Sequence, residues 1–262
     1  MADREDVGAS AVGVGDPLVL LACSHGTRSR AGQAAVAALV AAVAAASPEV
    51  EVLQAFVDVE SPDVPTALDE LVGRQVLVLP LLLSAGYHVH VDLTNAINSA
   101  PAEQSESAPE GRAESRRTRA PAVRLADALG PDPLLIEILA DRVSAAGVRP
   151  EDIVLLAAAG SSDPRAVADC RTVADELAAR LGRPVTATFL VAVQPAVTDA
   201  VTEARRGGSG RVIVASYLLA PGFFTDLLAG CGADVITEPL LHPTAEPDPR
   251  LVALVQRRHR EG

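Results

Sequence analysis

The hydrophobic positions of this chain form short apolar runs that alternate with longer segments in which apolar and polar residues recur at helical spacing. The short runs consist mainly of Val, Ile, Leu and Ala, a composition typical of strands buried on both faces of a parallel sheet. Strands are predicted near residues 18–23, 52–59, 76–83, 153–158, 185–193, 211–219 and 234–237. Helices are predicted near residues 31–46, 64–72, 133–146, 164–181, 195–206 and 248–259. This alternation indicates an α/β protein with parallel sheets covered by helices.

The pattern occurs twice along the chain. Residues 20–28 match residues 155–162, with one residue fewer before the glycine of the second copy, and residues 82–88 match residues 218–224. A Pro-Asp-Pro sequence also precedes one predicted helix in each half, at residues 131–133 and 247–249. A long internal repeat of this kind predicts two similar halves.

The first half is longer because it contains an insertion. Ser, Glu, Pro, Ala and Arg dominate residues 99–122, and such a composition cannot bury a hydrophobic core. We therefore predict a disordered N-terminus over residues 1–16, an N-terminal lobe over 17–147 that contains a disordered insertion over 99–122, and a degenerate C-terminal lobe over 148–262.

Two histidines follow predicted strands of the first half. His25 stands after the first apolar run, between Ser24 and Gly26, and His88 stands after the third, two residues beyond Gly86. Ligands of open parallel sheets bind where the strands end. Imidazole both binds transition metals and transfers protons near neutral pH, so this placement indicates a metal site or a proton-transfer site. Loop or capping roles for both histidines are the structural alternative.

The second half lacks these histidines. It has Ala158 or Ala159 at the place of His25, and Phe224 at the place of His88. The chemistry is therefore predicted to belong to the first half. The remaining histidines, His90, His242 and His259, stand in no comparable repeat position; His90 is either a further ligand or a polar neighbour.

Composition and charge exclude some classes of function. All 22 basic residues are Arg, and the net charge of −12 argues against non-specific binding to nucleic acid or to an anionic membrane. The three cysteines have no C-x-x-C spacing, and residues 1–16 lack the basic and apolar regions of a signal peptide. These features predict a protein of the reducing cytoplasm without disulfides.

The two histidine motifs, residues 24–28 and 86–92, resemble those of the class II tetrapyrrole chelatases, and specifically the long, duplicated sirohydrochlorin chelatases. That family also carries an acidic residue after the second strand, in a Phe-x-Glu setting ahead of a proline. The corresponding residue is Asp58, which is one methylene shorter than the usual Glu. The resemblance implies an α/β fold of two similar lobes, each a parallel sheet flanked by helices, with a cleft between them.

The resemblance also implies an activity, which is the insertion of a divalent metal into sirohydrochlorin. Fe²⁺, which gives sirohaem, is the expected metal, and Co²⁺ is the alternative, as in a cobaltochelatase of cobalamin biosynthesis. The metal is a substrate, and no organic cofactor is expected. Metal binding is assigned to His25 and His88, and catalysis to both of these and Asp58.

Binding of the tetrapyrrole is expected from residues beside the two motifs. Arg28 and Arg30 are predicted to bind its carboxylates, because a guanidinium matches a carboxylate with two parallel hydrogen bonds. Ser84, just before the second motif, and Gly86 and Tyr87 within it are predicted to contact the ring. The apolar residues 81–83 are predicted to form a flat surface for it. The expected partners are sirohydrochlorin and the tetrapyrrole enzymes that precede or follow this step, with no nucleic acid and no membrane.

Two other classes compete with this hypothesis. A non-catalytic carrier of metal or tetrapyrrole would use the same ligands. A histidine phosphatase also places His-Gly after its first strand, but that class has Arg before the His, where this chain has Ser24.

Overall fold

The computed structural model describes residues 18–84, 93–95, 97, 123–208 and 210–262. Its strands are β1 (Val19–Ser24), β2 (Glu51–Phe56), β3 (Val76–Pro80), β4 (Val123–Leu125), β5 (Ile153–Ala158), β6 (Val185–Phe189), β7 (Val212–Tyr217) and β8 (Val235–Ile236). Its helices are α1 (Arg30–Ala46), α2 (Val64–Glu70), α3 (Pro133–Ala145), α4 (Pro164–Leu181), α5 (Val197–Gly207), α6 (Phe223–Ala229) and α7 (Pro249–Glu261). The predicted disordered segments, residues 1–16 and 99–122, lie outside the described residues.

The strands form two four-stranded sheets with the same order. The first sheet runs β2-β1-β3-β4 and the second β6-β5-β7-β8, and every strand pair is parallel. Each sheet is flanked by helices, as a parallel sheet requires to bury both of its faces. The predicted α/β architecture of two similar halves is confirmed.

Some predicted boundaries are wrong. Two short elements, β4 and α6, were not predicted, because three and seven residues are too few to establish a period. The strand predicted over residues 76–83 ends at Pro80, and the strand predicted over 211–219 ends at Tyr217. Both apolar runs continue past the sheet because their last residues line a cavity between the halves.

The sheets divide their side chains between three hydrophobic clusters. In β1, Leu20 and Ala22 point to one face, and Val19, Leu21 and Cys23 point to the other, as the two-residue period of a strand dictates. The first of these faces shares its cluster with the corresponding face of β5 and with residues of α1, α3, α4 and α7. The two halves therefore enclose one continuous core, and each half has a smaller cluster on its outer face.

The last helix of each half packs against the sheet of the other half. Helix α3 contacts α4 and β7, and helix α7 contacts α1 and β3. Two equivalent arginines secure this exchange. Arg142 of α3 donates to the carbonyl oxygens of Glu238, Pro239 and Leu240, and Arg258 of α7 donates to those of Ala128 and Leu129. The halves are thus tied together by helices as well as by the core, and the division of the sequence at residues 147 and 148 stays a prediction.

All three cysteines, Cys23, Cys170 and Cys231, are buried and unpaired. Within the described ranges, no helix has both the length and the apolar character that crossing a bilayer would require.

Candidate active site

A cavity of about 1020 Å³ lies where the central strands of both sheets end. Its walls come from the segments that follow β1, β2 and β3 in the first half and β5 and β7 in the second. The carboxyl ends of parallel strands are the usual ligand-binding edge of such sheets. Residues from both halves thus surround one space, whose walls include residues 24–29, 59–60, 81–84, 158–161 and 217–224.

His25 enters this cavity directly from the end of β1. The pairing of β1 with β2 continues one residue beyond the strand, because the carbonyl oxygen of His25 accepts the N–H of Asp58 at 3.0 Å. The chain then turns at Gly26, which has a φ of +90° and lies so close to the neighbouring segment that a Cβ atom would be 2.0 Å from the carbonyl oxygen of Asp58. Only glycine satisfies both conditions. The backbone of His25 is therefore fixed, while its side chain is exposed to the cavity.

The loop between His25 and α1 is held by side-chain hydrogen bonds. Ser29 caps the helix by accepting the N–H of Gly32 at 3.3 Å, and Thr27 Oγ1 accepts the N–H of Ser29 at 3.1 Å. Gln33 Nε2 donates to the carbonyl oxygen of Thr27 at 2.8 Å. This network orders the segment that carries Arg28, whose exposed side chain lines the cavity.

Glu60 is a cavity residue that the sequence analysis missed. Its Oε1 accepts the backbone N–H of Thr27 at 2.8 Å, and its side chain lines the cavity. The signal in the sequence was a second acidic residue just before Pro62, close to the predicted Asp58. It was not recognised because the contact joins residues that are 33 positions apart.

The predicted carboxylate, Asp58, is placed differently. It is exposed, its Oδ1 accepts the N–H of Val59 at 2.7 Å, and it is not among the residues that line the cavity. Its backbone nevertheless pairs with His25. Asp58 thus adjoins the site through its main chain, and a catalytic role for its side chain stays a prediction.

The remaining predicted residues fall into three groups. Ser84 lines the cavity together with Leu81, Leu82 and Leu83. Arg30 is the exposed first residue of α1 and does not line it. The second motif lies outside the described residues, and with it the predicted Gly86, Tyr87, His88 and His90. The described part of the chain contains no group of three His, Cys, Asp or Glu that could hold a metal ion.

The second half repeats the backbone geometry of this site but has no histidine there. The N–H of Val191 donates to the carbonyl oxygen of Ala159 at 3.0 Å, as that of Asp58 does to His25. Gly160 has a φ of +98°, and a Cβ atom there would lie 2.1 Å from the carbonyl oxygen of Val191. Ala159, rather than Ala158, is therefore the counterpart of His25. The titratable site of the first half corresponds to an apolar one in the second.

Two buried side chains complete the wall on the second half. The hydroxyl of Tyr217 donates to the carbonyl oxygen of Leu83 at 2.7 Å, which links the two halves beside the cavity. Burial raises the pKa of Tyr217 well above its usual value, so the phenol stays protonated and able to donate. Burial also raises the pKa of the Cys170 thiol to about 12. The free thiol of Cys170 therefore stays protonated near neutral pH.

The fold is similar to those of solved chelatase structures. SirB from Bacillus subtilis with Fe³⁺ is 21% identical to this chain and has a TM-score of 0.71, with 93% of this chain and 94% of that one covered. The sirohydrochlorin chelatase SirB from Bacillus subtilis subspecies spizizenii in complex with cobalt is 20% identical, with a TM-score of 0.68 and coverage of 93% and 94%. CbiX, described as the terminal enzyme for the biosynthesis of siroheme in denitrifying bacteria, is 22% identical, with a TM-score of 0.64 and coverage of 93% and 98%.

These likenesses confirm the chelatase-like fold that the histidine motifs predicted. No curated protein sequence matches the chain. The family model of CbiX, however, matches residues 19–146 and 153–230, which include both halves of the repeat and most of the chain. The protein therefore belongs to the CbiX family.

Proposed function

We propose that this protein is a sirohydrochlorin chelatase that inserts a divalent metal into the tetrapyrrole, with Fe²⁺ as the expected metal and Co²⁺ as the alternative. The observation that carries the proposal is the position of His25. It stands exposed in a large cavity at the end of the central strand β1, on a backbone fixed by Asp58 and Gly26, and its counterpart in the second half is alanine. Family membership and the metals bound in the SirB structures support it.

Metal insertion requires the loss of water from the metal ion and the loss of two protons from the pyrrole nitrogens. A neutral imidazole replaces water on the ion without adding charge, so the metal remains able to leave for the macrocycle. In our proposal His25 binds the incoming metal together with His88. An imidazole or carboxylate beside the ring then accepts the pyrrole protons as a general base. Asp58 is the carboxylate that the family resemblance indicates for this role. Glu60, which lines the cavity, instead holds the loop of His25 by accepting the N–H of Thr27.

The substrate contacts and the roles of the two halves belong to the same proposal. Arg28 binds a carboxylate of the tetrapyrrole from within the cavity, and Ser84, Gly86 and Tyr87 contact the ring from the first half. Arg30, which is exposed nearby, binds a carboxylate at the periphery. The first half, residues 17–147, carries the metal chemistry. The second half, residues 148–262, supplies the facing wall.

The test is a turnover assay that follows the absorbance of sirohydrochlorin as Fe²⁺ or Co²⁺ enters, with spontaneous insertion subtracted. We expect His25→Ala and His88→Ala each to lower the rate roughly 10²–10⁴-fold, the loss that follows removal of a general base. His242→Ala is the matched control, because His242 is exposed and does not line the cavity.

Three outcomes would contradict parts of this proposal. A folded His25→Ala variant that inserts metal at the wild-type rate would refute the site. A wild-type protein that binds metal and tetrapyrrole in stoichiometric amounts without accelerating insertion would identify a carrier instead of an enzyme. A higher kcat/KM for Co²⁺ than for Fe²⁺ would make the protein a cobaltochelatase. The histidine phosphatase hypothesis has no support from the family to which the chain belongs.

A further inference from the structure

The aromatic residues in the described part of the chain are concentrated at the cavity. The chain contains four Phe, two Tyr and no Trp; five of these six are described, and four of the five line the cavity. All four belong to the second half: Phe189, Tyr217, Phe223 and Phe224. The ionisable residues His25, Arg28 and Glu60 line the cavity from the first half, and Asp226 does so from the second. Most aromatic side chains of the described residues thus line the cavity that the candidate metal ligand, His25, also lines.

Phe223 is the exposed member of this group. Its exposed fraction is 69%, the highest among the large hydrophobic side chains of the described residues. Burial of an aromatic side chain is among the largest favourable contributions to folding. A ring exposed to this extent does not make that contribution to the stability of the free protein. The exposure is explained if a ligand covers the ring.

Phe223 is also held in position. Its ring contacts that of Phe224 edge to face, with centroids 5.3 Å apart and an angle of 68° between the planes. Phe224 is partly buried against the outer cluster of the second half. Thr225 Oγ1 accepts the N–H of Gly222 at 2.8 Å, which stabilises the start of α6 just before the two rings. The pair is therefore a supported aromatic surface, and not a loose side chain.

The start of α6 packs against the loop that follows His25. A Cβ atom on Gly32 would lie 2.3 Å from the carbonyl oxygen of Pro221, and one on Gly222 would lie 3.2 Å from Thr27 Oγ1. These close approaches bring the segment just before Phe223 next to the segment just after His25. The aromatic pair and the histidine thus border the same space from adjoining loops of the two halves.

We propose that Phe223, supported by Phe224, is the surface on which one face of the planar tetrapyrrole lies, so that the other face is open to the metal held by His25. This inference rests on the proposed chelatase function. It gives the second half, which lacks the histidines, a role in binding the macrocycle. It also moves the flat apolar surface from residues 81–83 of the first half, where the sequence analysis placed it, to α6 of the second.

The experiment measures binding of metal-free sirohydrochlorin by its fluorescence, and in parallel KM and kcat for metal insertion. Phe223→Ala is expected to raise both the dissociation constant and KM about five- to tenfold, a range typical of losing one aromatic contact with a flat conjugated ligand, with kcat nearly unchanged. Phe223→Tyr, which keeps the ring, is expected to bind within about twofold of the wild type. Phe223→Leu, which keeps apolar area without the ring, is expected to be intermediate.

Leu227→Ala is the matched control. Leu227 is exposed on the same helix but does not line the cavity, so the variant should bind the tetrapyrrole as the wild type does. Unchanged dissociation constants in a folded Phe223→Ala variant would refute the aromatic surface while leaving the chelatase proposal intact. A wild-type protein that binds the tetrapyrrole but does not insert metal would refute the chelatase proposal, and the binding constants would still decide the role of Phe223. Absence of tetrapyrrole binding by the wild type would contradict both.

Discussion

The carboxylate of Glu60 accepts the backbone N–H of Thr27 at 2.8 Å and so joins the loops that follow β2 and β1. The second of these loops carries His25 and Arg28, which line the cavity. A hydrogen bond to an ionised acceptor is stronger than one between neutral groups. Glu60 therefore holds the loop on which the candidate metal ligand and the candidate substrate anchor are placed.

We predict that Glu60→Ala lowers kcat for metal insertion about 10–100-fold, the loss typical of removing a group that orients a metal ligand. Glu60→Gln keeps an oxygen acceptor for the Thr27 N–H and should recover most of this loss, with KM for the tetrapyrrole little changed in both variants. Steady-state kinetics with Co²⁺ is the measurement. Glu70→Ala, an exposed acidic residue outside the cavity, is the control. A Glu60→Gln variant as slow as Glu60→Ala would show that the charge itself is required, and wild-type kcat in Glu60→Ala would contradict the positioning role.

We predict that Arg28→Ala raises KM for sirohydrochlorin about three- to tenfold with little change in kcat, because a contact remote from the reacting atoms is lost equally from the ground state and the transition state. The guanidinium is exposed, so salt should weaken the contact, and the KM of the wild type should rise with ionic strength more steeply than that of the variant. Arg206→Ala, an exposed arginine of α5 that does not line the cavity, is the control. Equal salt dependence in wild type and Arg28→Ala would refute this anchor.

The third prediction concerns stability against acid. Asp152 is buried and accepts from Arg211 Nη2 at 2.7 Å and from the N–H of Arg149 at 2.8 Å. The hydrogen bond from Arg211 holds the pKa of Asp152 well below its usual value of about 3.9. The stability that this carboxylate contributes is therefore complete above about pH 4 and is lost as the pH falls towards the lowered pKa.

Urea unfolding between about pH 2 and pH 7 measures this contribution. Asp152→Asn should be less stable than the wild type at neutral pH, and its stability should fall less steeply below about pH 4. Asp69→Asn, an exposed carboxylate of α2, is the control and should follow the wild-type curve. If the stability of Asp152→Asn fell with decreasing pH in parallel with that of the wild type, another carboxylate would dominate the loss of stability in acid.

The sequence by itself determined the architecture and the position of His25 in the fold. The alternation of apolar runs with helical segments established the parallel α/β class, because strand and helix periods are local properties that a few consecutive residues express. The repeated motifs established the duplication, which the identical strand orders of the two sheets match. The position of His25 after a buried strand was sufficient to place it at the ligand-binding edge, since parallel strands end on one side of their sheet. The choice between Ala158 and Ala159 was beyond the sequence, because it depends on a hydrogen bond to Val191.

Arg28 and Ser84 were predicted from the sequence and do line the cavity with His25, but only the tertiary structure decided which residues of distant segments join them. The contact of Glu60 with Thr27, the hydrogen bond of Tyr217 to Leu83 and the aromatic pair on α6 all depend on how distant segments pack. The exchange of α3 and α7 between the halves has the same origin, because each amphipathic helix can be buried on either of two similar sheets. Local patterns specify that a helix has an apolar face, but the partner of that face is chosen by the complementarity of complete surfaces.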